Sequence, residues 1–392
     1  MYLCGMLERY SRNFWLLCTG MFLFMTSFNL IMPELNAFIT LLDGAEWKGL
    51  IITTFTISAG LARPYSGKLA DHIGRKKVIY FGLIVCFATS LLYPLSYSIW
   101  FFLALRFIHG FSVGFSPTGA TALVTDLLPE TKRGEGMGIW GTFISLGIGV
   151  GQSLGSFIGD NLGINSLFLI SAGVALLSFL LMYYVEETLK NQEPFKPELL
   201  KLGVQDIFEP SVLPSAMVMA LSATCSGIIF VVTPDLSAYL GIQNKGWFFG
   251  IYVVATIVVR LVSSSLSDRI GRRQTLLIGF GFLTISMLLI GYADSVFSYG
   301  LSAVIFGIAT GISSPTLFAW TADLSHTERR GVGSGTMFIA LEIGIMVGSS
   351  LTLVTYDNSM SSVKTTFIIA ACFALASMLY LVWHLLKRQS AS

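Results

Sequence analysis

The sequence predicts an all-α membrane protein with twelve transmembrane helices in two pseudo-symmetric six-helix bundles. Three observations carry this. First, of 392 residues, 54% are hydrophobic and only 12% are charged, with a mean hydropathy of +0.74. Soluble proteins carry about 25% charged residues, so this chain lacks the polar side chains to cover a water-facing surface of its size. Second, the apolar residues run in long blocks. A helix needs about 20 such residues to cross a hydrocarbon core roughly 30 Å thick. Third, the two halves of the chain match one another at an offset of 197 residues. The short alternating segments that mark a membrane barrel are missing.

Taken in order, the first apolar run, 14–40, is too long for the core of a cleavable signal and reads as span 1. Spans 2 and 3 (47–69 and 77–97) flank a loop holding Lys68, Arg75, Lys76 and Lys77. Span 4 (100–127) opens at Trp100, span 5 (136–159) follows Lys132 and Arg133, and span 6 covers 166–186. The one long polar stretch then follows, with Pro194, Pro197, Pro210 and mixed charges. The expected domains are therefore an N-terminal bundle (1–186), a cytoplasmic linker (187–210) and a C-terminal bundle (211–392). Within the second, spans 7 to 12 read 211–238, 246–267, 274–292, 298–323, 333–356 and 363–386.

Eighteen of the 24 Lys and Arg fall on one side of this arrangement, and three (Lys48, Lys245, Lys364) on the other. The remaining three, Arg63, Arg106 and Arg260, lie inside spans. The bias marks the richer side as cytoplasmic, so a multi-pass cytoplasmic (inner) membrane protein with both termini in the cytoplasm is expected. The basic loops are accounted for as topology signals, and no nucleic-acid partner is inferred from them. The five cysteines are scattered and offer no paired spacing for a metal or a disulfide.

The repeat is dense in polar residues and glycines. Arg63, Asp71, Gly74 and Arg75 fall on Arg260, Asp268, Gly271 and Arg272; Asp126 and Arg133 fall on Asp323 and Arg330; Gly147 and Gly151 fall on Gly344 and Gly348. Pro33-Glu34-Leu35 matches Pro234-Asp235-Leu236 with a slight shift. Six helices in duplicate is a layout of transporters that rock two halves around a central site.

The segment Gly67-Lys68-Leu69-Ala70-Asp71-His72-Ile73-Gly74-Arg75-Lys76-Lys77 resembles the signature loop between helices 2 and 3 of the major facilitator superfamily, and Ser267–Arg273 is its degenerate copy. Leu103–Gly110 resembles the family's helix 4 motif, and Gly147–Gly155 resembles the helix 5 motif of the twelve-helix drug:proton antiporters, with Gln152 where that motif has Pro and Ser156 where a second Gly is usual. The resemblance covers essentially the whole chain. It implies a gating set of Asp71, Arg75 and Asp126, with Asp268, Arg272 and Asp323 as counterpart, that latches the cytoplasmic ends. Physically, Gly67 at a helix end would permit close backbone approach and Gly74 suits a tight turn. Asp71 is placed to face a helix N-terminus or a cation. The competing reading, that the basic residues only set topology, needs neither an Asp nor a Gly at fixed spacing.

Gly147, Gly151, Gly155 and Gly159 recur every four residues in span 5, a spacing that lets membrane helices pack closely, and span 8 is the expected partner. A nucleotide loop would need a preceding strand and is not indicated.

Charges inside spans usually face a cavity or a partner. Glu342 lies about nine residues into span 11, where its repeat mate is Ser145, so the pattern does not require an acid there. A carboxylate in a low dielectric holds its proton more readily than in water, which suits proton uptake and release; the competing reading is a buried Glu satisfied by hydroxyls or an Arg. Arg106 and His109, one turn apart in span 4, are candidates for substrate binding or proton transfer, against a role in holding spans 1 or 2. Glu34 and Asp235 each follow a Pro and read either as a proton or cation entry point or as a solvated acidic mouth. Arg63 and Arg260 either attract an anionic or zwitterionic substrate from the cytoplasm, or snorkel or brace the gate. Asn29, Gln152, Trp140, Tyr65 and Tyr252 are candidates for a cavity lining, each against ordinary packing.

The expected function is a secondary active transporter, proton-coupled and exporting a small drug-like molecule or metabolite by alternating access. The alternative is an uptake symporter for an organic anion. A sensor or lipid-handling protein without ion coupling is a third reading. An enzyme is not expected, because no nucleophile–base set or metal-ligand cluster stands out. No cofactor is expected beyond the proton gradient. The expected partners are a small-molecule substrate, protons and the lipid bilayer, with the chain acting as a monomer.

Overall fold

The computed structural model of the chain describes residues 10–128, 133–203, 207–263, 266–325 and 330–389. They form twelve long helices. We number as α1 two consecutive segments, Arg12–Leu30 and Leu35–Leu41, joined by the 3₁₀ turn Met32–Glu34. Then follow α2 (Lys48–Ile73), α3 (Arg75–Leu92), α4 (Ile99–Leu127), α5 (Arg133–Leu162) and α6 (Ile164–Tyr183). After the connector come α7 (Leu213–Tyr239), α8 (Trp247–Ser263, continued by the short helix Leu266–Ile270), α9 (Arg272–Gly291), α10 (Val296–Leu324), α11 (Arg330–Thr355) and α12 (Met360–Gln389).

Helix ends follow local chemistry. Ser11, Ser98 and Ser295 cap α1, α4 and α10 through their hydroxyls, and Ser295 and Ser298 form a reciprocal capping box. Gly74, Gly163 and Gly271 precede α3, α6 and α9 at φ of +117°, +80° and +94°. These are conformations that a Cβ disfavours, so Gly makes the sharp entry into each helix possible.

Ten of the described helices are long and apolar enough to cross a membrane. The other two, α2 and α8, differ for separate reasons. The apolar run of α8, Trp247–Arg260, is short. α2 is rich in hydroxyls, yet Thr53, Thr54, Thr56, Ser58 and Ser66 each donate to a carbonyl of the preceding turn. Such a hydroxyl brings its own acceptor into the bilayer and does not expose an unpaired polar group there. Large apolar side chains such as Phe157, Leu169, Leu180, Val254 and Leu379 point outward, as lipid-facing residues do.

The chain divides into two compact units, one of Met1–Met32 with Leu61–Leu202 and the other of Pro33–Gly60 with Gly203–Ser392. In the first, α1 packs on α5 and α6, and α3 on α4 and α6, around Phe14, Leu17, Phe24, Leu83, Ala120 and Leu123. In the second, α7 packs on α11 and α12, α9 on α10 and α12, and α8 on α10. The outer segment of α1 and the first half of α2 therefore group with the second unit.

Candidate functional site

The loop between α2 and α3 is organised around Arg75. Its guanidinium donates to Asp71 Oδ1 at 2.9 Å, to Asp126 Oδ2 on α4 at 3.3 Å, and to the Ala70 carbonyl at the end of α2. One fork thus ties together three helix ends. The expected set Asp71–Arg75–Asp126 is brought together within the first unit. In the second unit, Arg272 repeats the arrangement, with Nε to Asp323 Oδ2 at 3.0 Å and Nη1 to Ser267 Oγ at 2.6 Å. The side chain of Asp268 lies outside the described residues.

Sequence reasoning missed the partner that completes the first loop. Glu187, at the start of the connector, accepts from the backbone N–H of Arg75 (3.2 Å) and Lys76 (2.9 Å), the free N–H groups of α3. It also accepts from Thr188 (2.9 Å) and Leu189 (3.0 Å), while the Thr188 hydroxyl donates to Asp126 at 2.6 Å. A Cβ on Gly74 would stand 2.7 Å from a Glu187 oxygen, so Gly74 makes room for this carboxylate. Gly67 differs from expectation. It lies inside α2, a Cβ there would meet nothing within 4 Å, and no close approach depends on it.

In α4, Arg106 and His109 are fully buried. Tyr93, from the turn after α3 and also fully buried, joins them: its hydroxyl lies 2.9 Å from His109 Nδ1 and accepts from Arg106 Nη1 at 3.5 Å. Arg106 Nη2 reaches Met32 Sδ at 3.9 Å, and the Phe28 ring meets His109 edge-on at 5.8 Å. Arg106 therefore ties α4 to α1. Arg63 is buried with Nη1 3.4 Å from Thr118 on α4, and Arg260 sits half-buried in the last turn of α8.

The cavity-lining candidates divide. Gln152 donates to Asn29 at 3.1 Å, and Asn29 donates to the Met25 carbonyl at 2.8 Å, so this buried pair bridges α5 and α1. Trp140 is built into the apolar core of the first unit. Tyr65 packs half-buried on the cluster of Ala62, Leu69 and Phe115. The Tyr252 ring lies among Phe248, Phe249 and Phe306. Trp140, Tyr65 and Tyr252 thus sit among apolar neighbours, because their rings bury more surface than their polar tips demand.

Two glycines of the α5 stripe, Gly147 and Gly151, face α1 within the first unit. A Cβ on Gly147 would come 2.6 Å from the Phe22 carbonyl, and one on Gly151 2.6 Å from the Thr26 carbonyl. The face that α5 offers with these two glycines is the one that lets α1 approach. Gly155 is buried and Gly159 half-buried on the same helix. In the second unit Gly344 and Gly348 of α11 lie in the same way against α7.

At the end of the second unit away from the Arg272 loop, two ion pairs involve the repeat-related acids. Asp235 on α7 receives Lys48 Nζ at 2.6 Å, the Tyr356 hydroxyl at 2.8 Å and Asn36 Nδ2 at 3.2 Å. Lys48 and Asp235 are only 11% and 14% exposed, and Tyr356, whose deprotonated form is opposed by burial and then by the neighbouring Asp235, has its pKa raised and stays a donor. Glu34, 4% exposed, pairs through Oε2 with Lys245. Glu342 on α11 is 6% exposed, and a Cβ added to Gly60 of α2 would stand 3.4 Å from the Glu342 Cβ. No cluster of three or more metal-ligating side chains occurs among the described residues.

Twelve helices, the duplicated Arg–Asp loops and buried charges inside spans define a helical membrane transporter. The sequence profile of the Major Facilitator Superfamily matches residues 14–243 and 215–392, and the chain belongs to that family. It is accordingly a multi-pass secondary transporter and not an enzyme. It is 28% identical over 335 residues to the multi-drug resistance efflux pump PmrA homologue of Lactococcus lactis, covering 81% of this chain and 82% of that one. It is 29% identical over 336 residues to the multidrug resistance protein MdtG of Serratia proteamaculans, covering 79% of each. Among solved structures, the human organic anion transporter MFSD10 superposes with a TM-score of 0.72 at 20% identity, over 94% of this chain and 99% of that one. The nucleoside transporter NupG does so with a TM-score of 0.77 at 14% identity, over 95% and 99%. These two likenesses concern the fold.

Proposed function

We propose that this chain exports a small drug-like molecule or metabolite by alternating access, in exchange for protons. It would act as a monomer in a cytoplasmic membrane with both termini in the cytoplasm. The functional halves are residues 1–186 and 211–392, joined by 187–210. The observation that carries the reading is Glu342, an acid buried at mid-span on a helix whose repeat mate carries Ser145. A carboxylate is retained at such depth where it exchanges a proton or holds a specific partner. The names of the two relatives above point to drugs as the substrate class. Arg106 and His109, locked together by Tyr93, are the second group proposed to respond to protonation, and the Arg75 and Arg272 sets brace the cytoplasmic ends.

The test is proton flux in inverted vesicles with an acid interior. A panel of lipophilic cations, neutral drugs and organic anions is added to vesicles holding the wild type or Glu342→Gln. A compound that dissipates the gradient with the wild type and not with the variant supports exchange through Glu342. Equal dissipation by both would remove Glu342 from the mechanism. Accumulation of an organic anion without proton release would favour uptake.

A further inference from the structure

Several hydroxyls inside the spans of the first unit bond back to their own helix. Thr118, Thr121 and Thr125 on α4, and Thr142 on α5, each donate to the carbonyl four residues before. Ser156, also on α5, does not. It is wholly buried, and its Oγ has no hydrogen-bond partner among the described residues. One turn earlier on the same face, Gln152 is wholly buried too, and its Oε1 is likewise without a partner there. Buried polar atoms are as a rule paired, so two orphan oxygens one turn apart point to a ligand held between them.

Both residues belong to the seam between α5 and α1. Gln152 Nε2 donates to Asn29 Oδ1 at 3.1 Å, and Asn29 Nδ2 is spent on the Met25 carbonyl at 2.8 Å, so Oε1 is the part of this amide bridge still open. Gly147 meets α1 at Phe22 and Met25, and Gly151 meets it at Thr26, Asn29 and Leu30. This register sets the next turn of α5, with Gly155 and Ser156 both buried, against the end of the long segment of α1 at residues 30–32. Side chains four apart on a helix have their Cβ atoms about 5–6 Å apart. One water, with hydrogen bonds of roughly 2.8 Å, spans two oxygens at that separation, and Gly155 puts no side chain in its way. The carbonyls of a helix's last turn lack intrahelical partners, so the end of α1 brings further acceptors to the same place. The oxygens of Gln152 and Ser156 are neutral, and the charge brought to this end of α1 is the Arg106 guanidinium, with Nη2 3.9 Å from Met32 Sδ. Neither feature suits a metal cation. Water suits both oxygens, because it donates to the Gln152 carbonyl and either donates to or accepts from the Ser156 hydroxyl.

We propose that α5 binds one ordered water between Gln152 Oε1 and Ser156 Oγ, against the end of the long segment of α1, and that this water completes the Asn29–Gln152 bridge between the two helices. Gln152 and Ser156 are the two positions at which α5 departs from the helix 5 motif, so the site belongs to this chain. The water site does not rest on the export function proposed above and stands or falls without it.

Two measurements on the purified full chain test it, and neither needs a transported compound. Brief X-ray radiolysis turns an ordered internal water into hydroxyl radicals, which oxidise the nearest methionines. Met32 and Met25, both buried beside the seam, are the reporters, and Met21, in the apolar core of the first unit, is the blank. Oxidation of Met32 and Met25 is expected to outpace that of Met21 in the parent and to fall severalfold in Ser156→Ala with Gln152→Leu. Ser156→Ala alone, which removes a single oxygen, keeps the test open if the double variant does not fold. A rate that stays at the parent value in the folded variant overturns the water. The second measurement is reversible unfolding in mixed micelles, where the sign decides. An orphan hydroxyl with no ligand would make Ser156→Ala stabilising, because the variant discards an unpaired buried group. A hydroxyl that holds the water makes Ser156→Ala lower the ratio of folded to unfolded protein by about two- to tenfold, the scale of one hydrogen bond. An unchanged or raised ratio overturns the site. Parent stability is expected to be the same in sodium and in choline buffer. A parent stabilised by sodium overturns the water and gives the two oxygens to a cation.

Discussion

Substitution of Gly74 by alanine should harm this protein through two separable effects, and the repeat supplies the control. Gly74 has φ +117° and ψ 145°, close to a region that only glycine occupies comfortably. Forcing a side chain there costs ~1–3 kcal/mol. The new Cβ would also stand 2.7 Å from the Glu187 carboxylate. Moving that carboxylate loosens its four backbone donors, and a hydrogen bond to a charged group contributes ~1.5–3 kcal/mol. Gly74→Ala is therefore expected to lose ~2.5–6 kcal/mol if one such bond goes with the strain. Gly271→Ala carries similar strain at φ +94°, but its Cβ would meet only the end of the flexible Gln274 side chain. Its loss should stay near ~1–3 kcal/mol. Gly67→Ala, with open space around the added methyl, should be neutral or gain ~0.5–1 kcal/mol from helix propensity. The assay is reversible unfolding of the purified protein in mixed micelles as the denaturing detergent fraction rises. Equal losses for Gly74→Ala and Gly271→Ala would refute the Glu187 part of the argument. So would strict additivity between Gly74→Ala and Glu187→Ala, since removing the carboxylate should relieve part of the clash.

Three further outcomes follow from the same geometry. Tyr93→Phe removes the hydroxyl that links His109 Nδ1 to Arg106 and should lower stability by ~1–3 kcal/mol in the same unfolding assay, with proton release reduced more than substrate binding. Gly151→Leu should wedge α5 from α1 and cost more than the ~1–3 kcal/mol typical of overpacking, read as loss of folded protein on gel filtration, whereas Gly138→Leu, facing open space, should not. Asp357, in the exposed loop before α12, has its carboxyl held below the usual range by the hydroxyls of Ser359 and then Ser362. The order this lends to the loop is present above the ordinary carboxylate pKa and lost as pH falls through the depressed value, so protection of the Ser359 amide from hydrogen exchange should fall in that acid window and become pH-independent in Asp357→Asn.

The spans were legible because a bilayer imposes a length and a polarity on each helix that composition alone reveals. α2 and α8, which fall outside the ten long apolar helices, were still readable from their own apolar runs, and the repeat pairs them with each other, Arg63 falling on Arg260. The family resemblance implied the grouping of Arg75 and Asp126, which are 51 residues apart and lie together. Glu187 was not legible. It looks like one of several acids in a polar connector, and its role appears only once the end of α6 is folded beside the start of α3. Tyr93 was not legible either, because nothing in a sequence says that it turns inward to a histidine 16 residues on. Lys48 and Lys245 counted only as charges on the less basic side. The approach of α1 to Gly147 and Gly151 was not legible, because spacing identifies a close-packing face and not the helices that fill it.

The connector has a property that follows from its two ends. At one end Glu187 is consumed by the first unit; at the other, Glu209 is almost wholly buried in the second, its carboxylate taking the Ser211 N–H and hydroxyl while its own N–H donates to Thr336. Between them, residues 190–198 are exposed to solvent. Each bundle therefore keeps its own acidic endpiece, and the first also draws on Glu193, whose N–H donates to the His72 carbonyl in the last turn of α2 at 2.8 Å. Insertions, deletions or a chain break confined to 194–198 would leave both endpieces in place, which makes this stretch the natural point at which to split the gene into two co-expressed fragments or to graft a reporter domain.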